Sequence, residues 1–199
     1  GYIGTELCKI YSGVSWNNKV IVVDNRFISE RVHQLRSWNI DFVHGDILDK
    51  DLVNKYCKDA DIVHHLAGIT DVPRLKSESS EDKDAKIKLV AEEGTQNILN
   101  AINDKCKIIF PSTHVVYEGI EKVKNDILED EHAKPILSYA SSKAINEKQL
   151  RNSGKNYIIL RLGSVYGYST DTARIDIMPN LFSKIASQDG TIKLFAGGR

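Results

Sequence analysis

The chain opens with Gly1-Tyr2-Ile3-Gly4-Thr5-Glu6-Leu7, and the run Lys19-Val20-Ile21-Val22-Val23-Asp24-Asn25 follows shortly after it. The first stretch places two glycines at the start of an amphipathic segment that continues through Tyr11, which predicts a helix with a glycine-led entry. The second stretch is an apolar run that ends in an acid, as a buried strand does. A helix and a strand in this order are typical of a parallel α/β sheet.

The same two stretches predict a dinucleotide site. Glycines let the backbone turn tightly and approach a pyrophosphate, and a carboxylate at the end of the next strand accepts hydrogen bonds from both ribose hydroxyls of NAD. Asp24 would repel the 2′-phosphate of NADP, which favours NAD, although Arg26 could bind that phosphate. The cofactor-binding residues predicted here are Gly1, Tyr2, Ile3, Gly4, Asp24 and Asn25.

Strand-like and helix-like segments alternate along the whole chain with short connections between them. Strands are expected at Val20–Asp24, Asp41–His44, Asp61–Leu66, Lys107–Pro111, Tyr157–Leu162 and Ile192–Phe195. Helices are expected at Thr5–Tyr11, Ser29–Ser37, Lys50–Cys57, Lys83–Asn103, Tyr139–Asn152 and Asp176–Ser187. This alternation predicts a Rossmann-like, doubly wound parallel sheet covered by helices.

A candidate base lies in the run Ser138-Tyr139-Ala140-Ser141-Ser142-Lys143. Residues four apart on a helix share one face, and a lysine cation next to a phenol favours the phenolate and lowers its pKa. Two hydroxyls, Ser112 and Thr113, follow the apolar run Lys107–Pro111, so a donor and a base could converge where that strand ends. The candidate catalytic residues are therefore Tyr139, Lys143, Thr113 and Ser112.

Composition limits the classes of function. The chain has 199 residues, 41% hydrophobic content, and 27 basic against 27 acidic residues, which gives no indication of nucleic-acid or membrane binding. Three scattered cysteines predict core thiols in a reducing, cytoplasmic compartment. No metal site is expected, because His64 and His65 are adjacent in a strand and face opposite sides.

Taken together, these motifs resemble the extended short-chain dehydrogenases/reductases, and among them the NAD-dependent nucleotide-sugar epimerase/dehydratase family. Gly1 and Gly4 match the last two glycines of that family's glycine motif, and Asp24 matches its ribose-binding acid. Further matches run in order along the chain, at Asp46-Ile47, His65-Leu66-Ala67-Gly68, Gly94-Thr95-Gln96-Asn97, Ser112-Thr113, Tyr139, Lys143 and Arg161-Leu162-Gly163-Ser164. Pro135 and Glu147 also stand where the family places them.

The resemblance adds roles to these residues. It implies that Asp46 and Ile47 contact the adenine, and that Leu66, Ala67 and Gly68 lie on the strand beneath the nicotinamide. Tyr139 would be the general base for a sugar hydroxyl, Lys143 would hold the cofactor ribose, and Thr113 would hydrogen-bond the substrate oxygen, with Ser112 as its substitute. Ser164 would take the place of an asparagine that contacts the substrate's diphosphate. The substrate-binding residues implied are Thr113, Tyr139 and Ser164.

Departures from the family pattern narrow the expected reaction. In 4,6-dehydratases an Asp-Glu pair follows the catalytic hydroxyl, whereas here His114 and Val115 follow it. Decarboxylating relatives also tend to carry a glutamate at the Val115 position. A nucleotide-sugar 4-epimerase is therefore favoured, with a 4,6-dehydratase, a decarboxylase or a ketoreductase of the same family as alternatives. His114 could be an additional acid/base group or a packed polar side chain.

The resemblance also implies an organisation in two domains. An NAD-binding Rossmann-like domain is expected at residues 1–167, lacking the family's first strand, and residues 168–199 would begin a smaller substrate-binding lobe in which Ser169–Asp176 line the sugar-nucleotide cleft. The chain would then be a fragment that binds NAD weakly by itself. The intact protein is expected to be a homodimer. An NAD-binding regulatory protein without turnover is the alternative from another class of function.

Overall fold

The computed structural model describes residues 1–14, 18–70, 79–121, 124–169, 175 and 177–194. The chain forms two compact units, of which the larger comprises Lys19–Gly163. The smaller comprises Gly1–Asn18 together with Ser164–Arg199. The predicted division into a cofactor domain at 1–167 and a substrate lobe at 168–199 is a division by function, and it stays a prediction.

The described residues of the larger unit include five strands, which form its sheets. They are β1 (Ile21–Asp24), β2 (Asp41–His44), β3 (Ile62–His64), β4 (Lys107–Thr113) and β5 (Asn156–Leu162). Strands β1 and β2 form one parallel sheet, and β3, β4 and β5 form a second parallel sheet in that order. All three pairings are between strands separated by a helix, as in βαβ units. The predicted parallel α/β class is confirmed, although the described strands make two sheets instead of one.

The described residues also form six α-helices. They are α1 (Tyr2–Ser12), α2 (Ser29–Ser37), α3 (Lys50–Cys57), α4 (Glu81–Ala101), α5 (Ser138–Asn152) and α6 (Met178–Ser187). Two of them begin at side-chain caps: Asp49 accepts a hydrogen bond from the backbone N–H of Leu52 at 3.0 Å, and Ser80 accepts one from Lys83 at 3.4 Å. No helix in the described part of the chain is long and apolar enough to cross a membrane.

Several predicted boundaries differ from the observed ones. Helix α4 begins two residues earlier than the Lys83–Asn103 expected from sequence, because Ser80 supplies its N-terminal cap. It also ends two residues earlier, since Ile102 already has an extended backbone. Strand β3 is shorter than Asp61–Leu66, since its pairing with β4 ends at His64. Strand β4 continues past Pro111 to Thr113, because β4 has only β5 as a pairing partner there and the missing N–H of proline is tolerated.

The last predicted strand, Ile192–Phe195, is wrong for residues 192–194, which are not in a strand, and Phe195 lies outside the described residues. Helix α6 begins at Met178, and Asp176 of the predicted helix also lies outside them. Of the predicted cleft segment 169–176, only Ser169 and Ile175 are described. An apolar run of this length needs a neighbouring strand to pair with, and the sequence pattern does not reveal one.

The main core lies where β4 meets helices α4 and α5. Its fully buried side chains include Ile108 and Phe110 of β4 and Leu150 of α5, with Cys106 just before β4. Each is at most 1% exposed, so β4 is fixed on both faces. The carboxyl end of β4, which carries Ser112 and Thr113, is thereby held against the start of α5.

The smaller unit contains helices α1 and α6. The hydroxyl of Tyr2 donates to the carbonyl oxygen of Tyr166 at 3.2 Å, and the backbone N–H of Gly167 donates to the side chain of Asn180 at 3.1 Å. Gly167 has a φ of 129°, a conformation that favours glycine. The turn after β5 is thus tied both to α1 and to α6 within this unit.

Candidate active site

Tyr139 and Lys143 lie one turn apart on α5 and share a face, as their spacing predicts. The Lys143 ammonium lies 5.9 Å from the centre of the Tyr139 ring and 4.4 Å from that of Phe110. Its Nζ donates to the carbonyl oxygen of Pro111 at 2.7 Å. This hydrogen bond ties α5 to the end of β4, next to Ser112 and Thr113.

Burial sets the electrostatics of Lys143. Its removal from water lowers the pKa of the ammonium from 10.5 to about 8, because an apolar environment disfavours the charged form. The aromatic faces of Phe110 and Tyr139 and the Pro111 carbonyl partly offset that penalty. The group is therefore close to its titration midpoint in mildly alkaline solution.

The two hydroxyls at the end of β4 have different partners. Ser112 donates its proton to Oε1 of Glu147 at 2.6 Å. Thr113 accepts a hydrogen bond from the backbone N–H of Val115 at 3.3 Å, which leaves its own O–H able to donate elsewhere. Because successive strand residues point to opposite faces, only one of the two can face a given ligand.

Ser112 contacts an ion pair that the sequence did not predict. Arg161 of β5 donates from Nε to Oε1 of Glu147 at 3.0 Å and from Nη2 to Oε2 at 2.6 Å, in a two-point contact. The side chains are 12% and 5% exposed. Burial raises the pKa of the Glu147 carboxyl, but the hydrogen bonds from Arg161 and Ser112 and the charges of Arg161 and Arg151 outweigh it, so the pKa lies below its usual range.

A pair of acids lies at the carboxyl ends of β1 and β2. Oδ1 of Asp24 accepts the backbone N–H of Arg26 at 2.9 Å, and the side-chain amide of Asn25 donates to Oδ2 of Asp46 at 3.0 Å. Oδ1 of Asp46 accepts the N–H of Leu48 at 2.9 Å. These bonds fix one carboxylate at the last residue of β1 and the other on the loop that follows the neighbouring strand β2.

Helix α4 supports this edge through its Gly94–Asn97 segment. A Cβ on Gly94 would lie 2.8 Å from Cγ2 of Ile47, so the absence of a side chain lets the helix approach the loop. The side-chain amide of Asn97 donates to the carbonyl oxygen of Ile47 at 3.1 Å. The family resemblance implied that Ile47 contacts the adenine, but the sequence did not explain why residue 94 is a glycine.

The same helix segment also contacts the end of β3. Thr95 is fully buried, with its hydroxyl 2.8 Å from Nε2 of His65. Burial, with the charge of Lys143 as a second cause, lowers the pKa of His65 to about 3, so its ring is neutral. Leu66, Ala67 and Gly68 continue from this point, with Leu66 half-buried and the other two exposed.

The remaining predicted residues lie in the smaller unit. Gly1 precedes the first turn of α1, which Tyr2 begins, and Ile3 and Gly4 lie within that turn. The Thr5 hydroxyl donates to the carbonyl oxygen of Gly1 at 3.0 Å. Ser164 is exposed at the start of the turn that leads to Gly167.

His114 directly follows β4, and His64 and His65 lie beside this strand. Nδ1 of His114 lies 3.2 Å from the carbonyl oxygen of Leu162, and the side chain is exposed. His64 is half-buried and His65 is held by Thr95. The described residues contain no group of three or more His, Cys, Asp or Glu side chains that could hold a metal ion.

Two curated relatives resemble the chain in sequence. CDP-paratose 2-epimerase from Salmonella typhi is 30% identical over 196 residues, which cover 84% of this chain and 55% of that protein. UDP-N-acetyl-alpha-D-glucosaminuronate decarboxylase from Bacillus cytotoxicus is 28% identical over 208 residues, covering 100% of this chain and 62% of the relative. The chain thus spans somewhat more than half the length of these relatives.

Solved structures resemble it in fold as well. A UDP-glucuronic acid 4-epimerase variant from Bacillus cereus, solved with UDP-4-deoxy-4-fluoro-glucuronic acid and NAD, superimposes with a TM-score of 0.76 at 25% identity and covers 98% of this chain and 63% of that one. UDP-glucose 4-epimerase from Brucella ovis, solved with NAD, gives a TM-score of 0.67 at 29% identity, with 86% and 51% coverage.

The family relationship rests on the whole length of the chain. A family model described as "NAD dependent epimerase/dehydratase family" matches residues 1–199, a range that includes the glycine-led helix, the acidic edge and the Tyr139-Lys143 pair. Members of this family are enzymes that work with NAD, and the relatives above are epimerases and a decarboxylase of nucleotide sugars. This chain belongs to the NAD dependent epimerase/dehydratase family.

Proposed function

We propose that this chain is the catalytic part of an NAD-dependent nucleotide-sugar 4-epimerase. The observation that carries the proposal is the joining of α5 to the end of β4, where Lys143 bonds the Pro111 carbonyl beside two hydroxyl side chains. Tyr139 shares the face of Lys143, so a base, a cation and a hydroxyl donor belong to two elements that pack together. That set of groups suits proton removal from a sugar hydroxyl.

Each side chain has a separate task in the proposed reaction. Tyr139 takes the proton from the hydroxyl of the reacting carbon and later returns it. Lys143 stabilises the phenolate by its charge and binds ribose hydroxyls of the cofactor. Thr113 donates its O–H to the same substrate oxygen. Its oxygen accepts the Val115 N–H, and this bond leaves the hydroxyl proton available for the substrate. Ser112 is the weaker candidate for this donor, since its proton is given to Glu147.

The acidic edge fits the adenosine half of NAD. Asp24 and Asp46 offer carboxylate oxygens of the kind that accept hydrogen bonds from ribose hydroxyls and the adenine amine. Two carboxylates in this place disfavour the 2′-phosphate of NADP, even with Arg26 adjacent. Bound NAD supplies a reversible acceptor for the hydride of the sugar carbon. The other cofactor contacts proposed are Gly1, Tyr2, Ile3, Gly4, Asn25, Ile47, Leu66, Ala67 and Gly68.

The segment after Thr113 favours epimerisation over loss of water. His114 and Val115 offer no carboxylate to remove a carbon-bound proton or to protonate a leaving hydroxyl. His114 points its ring nitrogen toward the Leu162 carbonyl, which occupies that nitrogen. A decarboxylase and a ketoreductase of the same family are the remaining alternatives, and the relatives named above include a decarboxylase.

The full-length protein, incubated with NAD and a panel of UDP-, dTDP-, GDP- and CDP-hexoses and hexuronic acids, tests the proposal. We expect a product of unchanged mass whose C4 configuration is inverted, identified by mass spectrometry and NMR. Loss of 18 mass units would indicate a dehydratase, and loss of carbon dioxide a decarboxylase, by the ordinary mass balance of those reactions. Either result would overturn the 4-epimerase proposal.

The Tyr139→Phe variant distinguishes the hypothesis that the protein is an enzyme from the hypothesis that it is a regulatory NAD-binding protein. It removes one hydroxyl and retains the ring, so we expect NAD binding within about 2-fold of wild type and turnover lower by roughly 100-fold or more. Cofactor binding is measured by fluorescence and turnover by product formation. Wild-type NAD binding with no turnover on any sugar nucleotide would support the regulatory alternative instead.

A further inference from the structure

A buried ion pair connects three elements around the proposed catalytic residues without being one of them. Arg161 on β5 contacts both carboxylate oxygens of Glu147 on α5, at 3.0 and 2.6 Å. The two side chains are 12% and 5% exposed, so both charges are largely removed from water. Such a pair adds little net stability, because desolvation offsets the attraction, and its value lies in fixing orientation.

On one side, the pair holds the strand end that carries Thr113. Ser112 donates to the same Oε1 of Glu147 that accepts from Nε of Arg161, at 2.6 Å. This hydrogen bond limits the side-chain rotation of Ser112. It also limits the backbone rotation of the next residue, which shares a peptide bond with Ser112. Since Thr113 follows Ser112 directly in an extended strand, the direction of its hydroxyl depends on this bond.

On the other side, the pair holds the segment between β4 and α5. Nη1 of Arg161 donates to the hydroxyl of Tyr117, and also to the carbonyl oxygen of Glu129 at 3.0 Å. The Tyr117 hydroxyl in turn donates to the carbonyl oxygen of Leu128 at 3.1 Å. Arg161 also stacks on the Tyr117 ring at 5.0 Å. One guanidinium thus joins β5 to two points of this connection, one near its start and one in its middle.

We infer that Glu147 and Arg161 are positioning residues, which set the angle between the Thr113 hydroxyl on β4 and the Tyr139-Lys143 face of α5. The inference rests on the proposed function for its catalytic consequence. Neither side chain exchanges a proton with substrate. Their effect is to hold the donor and the base in one geometry through Ser112 and through the two helical turns of α5 between Tyr139 and Glu147.

The first test compares two arginines that contact the same carboxylate. Arg161→Lys keeps the charge but loses the two-point fork. Arg151→Lys is the matched control, because Arg151 also contacts Oε2 of Glu147, at 3.4 Å, but its side chain is 50% exposed. Hydrogen exchange of the backbone is measured over residues 110–117 and 137–143 in each. We expect exchange to accelerate roughly 10-fold in both segments in Arg161→Lys and to stay at the wild-type rate in Arg151→Lys.

The second test follows the reaction itself in the full-length enzyme. The double variant Glu147→Gln/Arg161→Met leaves no unpaired buried charge, so it is expected to remain folded. We expect the rate of transient absorbance at ~340 nm from reduced cofactor to fall about 10- to 100-fold, with KM for the sugar nucleotide and NAD occupancy within about 3-fold of wild type. Ser112→Ala should show a smaller loss of the same kind.

The outcomes distinguish this inference from the proposed function. Unchanged exchange in both segments of Arg161→Lys would overturn the positioning role, whatever the activity of the protein. A lower melting temperature with an unchanged rate per folded enzyme would also overturn it, since that is the behaviour of a purely structural pair. If wild type itself performs no hydride transfer, the proposed function fails, and the exchange measurement still decides whether the pair orders these segments.

Discussion

Lys143 shows how burial changes the charge of a residue that we propose for the active site. Its ammonium donates to the Pro111 carbonyl and lies near two aromatic rings, yet its pKa falls to about 8 because burial disfavours the charge. A cation held in this way is costly for the free protein. The cost is consistent with a group that is placed for a ligand and not for stability.

Lys143 should make stability depend on pH in alkaline solution. Its pKa is lower in the folded chain, about 8, than the ordinary 10.5, so between these values only the unfolded chain keeps the proton. The contribution of Lys143 to the free energy of unfolding should therefore rise with pH across this window, by on the order of 3 kcal/mol. Cys57, whose pKa burial raises to about 11, acts in the opposite direction, so the contribution of Lys143 is the difference between wild type and a variant without this lysine. Chemical denaturation at pH 7 to 10.5 measures it.

The Lys143→Met variant should lose this dependence, because it carries no titrating group at that position. Lys148→Met is the control, since Lys148 lies on the same helix with an exposed side chain. The curve of Lys148→Met should stay parallel to wild type. A Lys143→Met curve that also runs parallel to wild type would show that the folded-state pKa is not depressed.

At the scale of elements, one short segment of α4 contacts two loops that are proposed to bind the cofactor, the loop after β2 and the loop after β3. Gly94 and Asn97 meet the loop after β2 at Ile47, and Thr95 meets His65 at the end of β3. All three positions are buried, with Gly94 and Asn97 toward one side of the helix and Thr95 toward another. The position of the helix therefore controls the Asp46-Ile47 loop, which is the part of the site predicted to contact adenine.

Gly94→Ala tests this control. The new Cβ would lie 2.8 Å from Ile47 Cγ2, so the helix or the loop must shift. Alanine is the better helix former by about 1 kcal/mol, but overpacking costs about 1–3 kcal/mol, so we expect a net loss of roughly 1 kcal/mol in unfolding free energy. In the full-length protein NAD affinity should fall as well, which calorimetry measures.

Two further variants complete that experiment. Ile47→Ala in the Gly94→Ala background makes room for the new methyl group and should restore part of the loss. Gly163→Ala is the control, because a Cβ there meets no atom within 4 Å. Gly163→Ala is expected to change stability by less than about 0.5 kcal/mol. A stabilised Gly94→Ala protein would contradict the close approach of α4 to the loop.

At the scale of the molecule, the core around β4 holds the larger unit together. Ile108 is fully buried between α4, α5 and the neighbouring strands, whereas Ile158 on β5 is 40% exposed. Both are isoleucines in the middle of paired parallel strands. The two side chains differ in exposure to solvent. They are therefore a matched pair for measuring how much the burial of an isoleucine in this sheet adds to the free energy of unfolding.

Ile108→Ala should lower the free energy of unfolding by roughly 2–5 kcal/mol, because it removes buried methyl groups and leaves a cavity. Ile158→Ala should cost about 1 kcal/mol or less, since part of its surface already contacts solvent. Urea denaturation of the two variants and wild type measures both. Equal losses would mean that the two faces of this sheet are covered to the same extent in solution.

The sequence by itself determined the parallel α/β class, the start and end of α2 and α3, and the placing of Tyr139 and Lys143 on one helix face. These follow from local periodicity, caps and spacing, which act over a few residues. The family matches also lie in short contiguous runs, so they too were readable before any contact was known.

Only the tertiary structure decided which hydroxyl is free and what orients it. The Ser112-Glu147-Arg161 contacts join residues 35 and 14 positions apart, and no local pattern encodes their pairing. The depressed pKa of Lys143, the reason for a glycine at Gly94 and the extension of β4 past Pro111 likewise depend on neighbours from other elements. Burial and hydrogen-bond partners are set by packing between distant segments, and for that reason they appear only when the chain is folded.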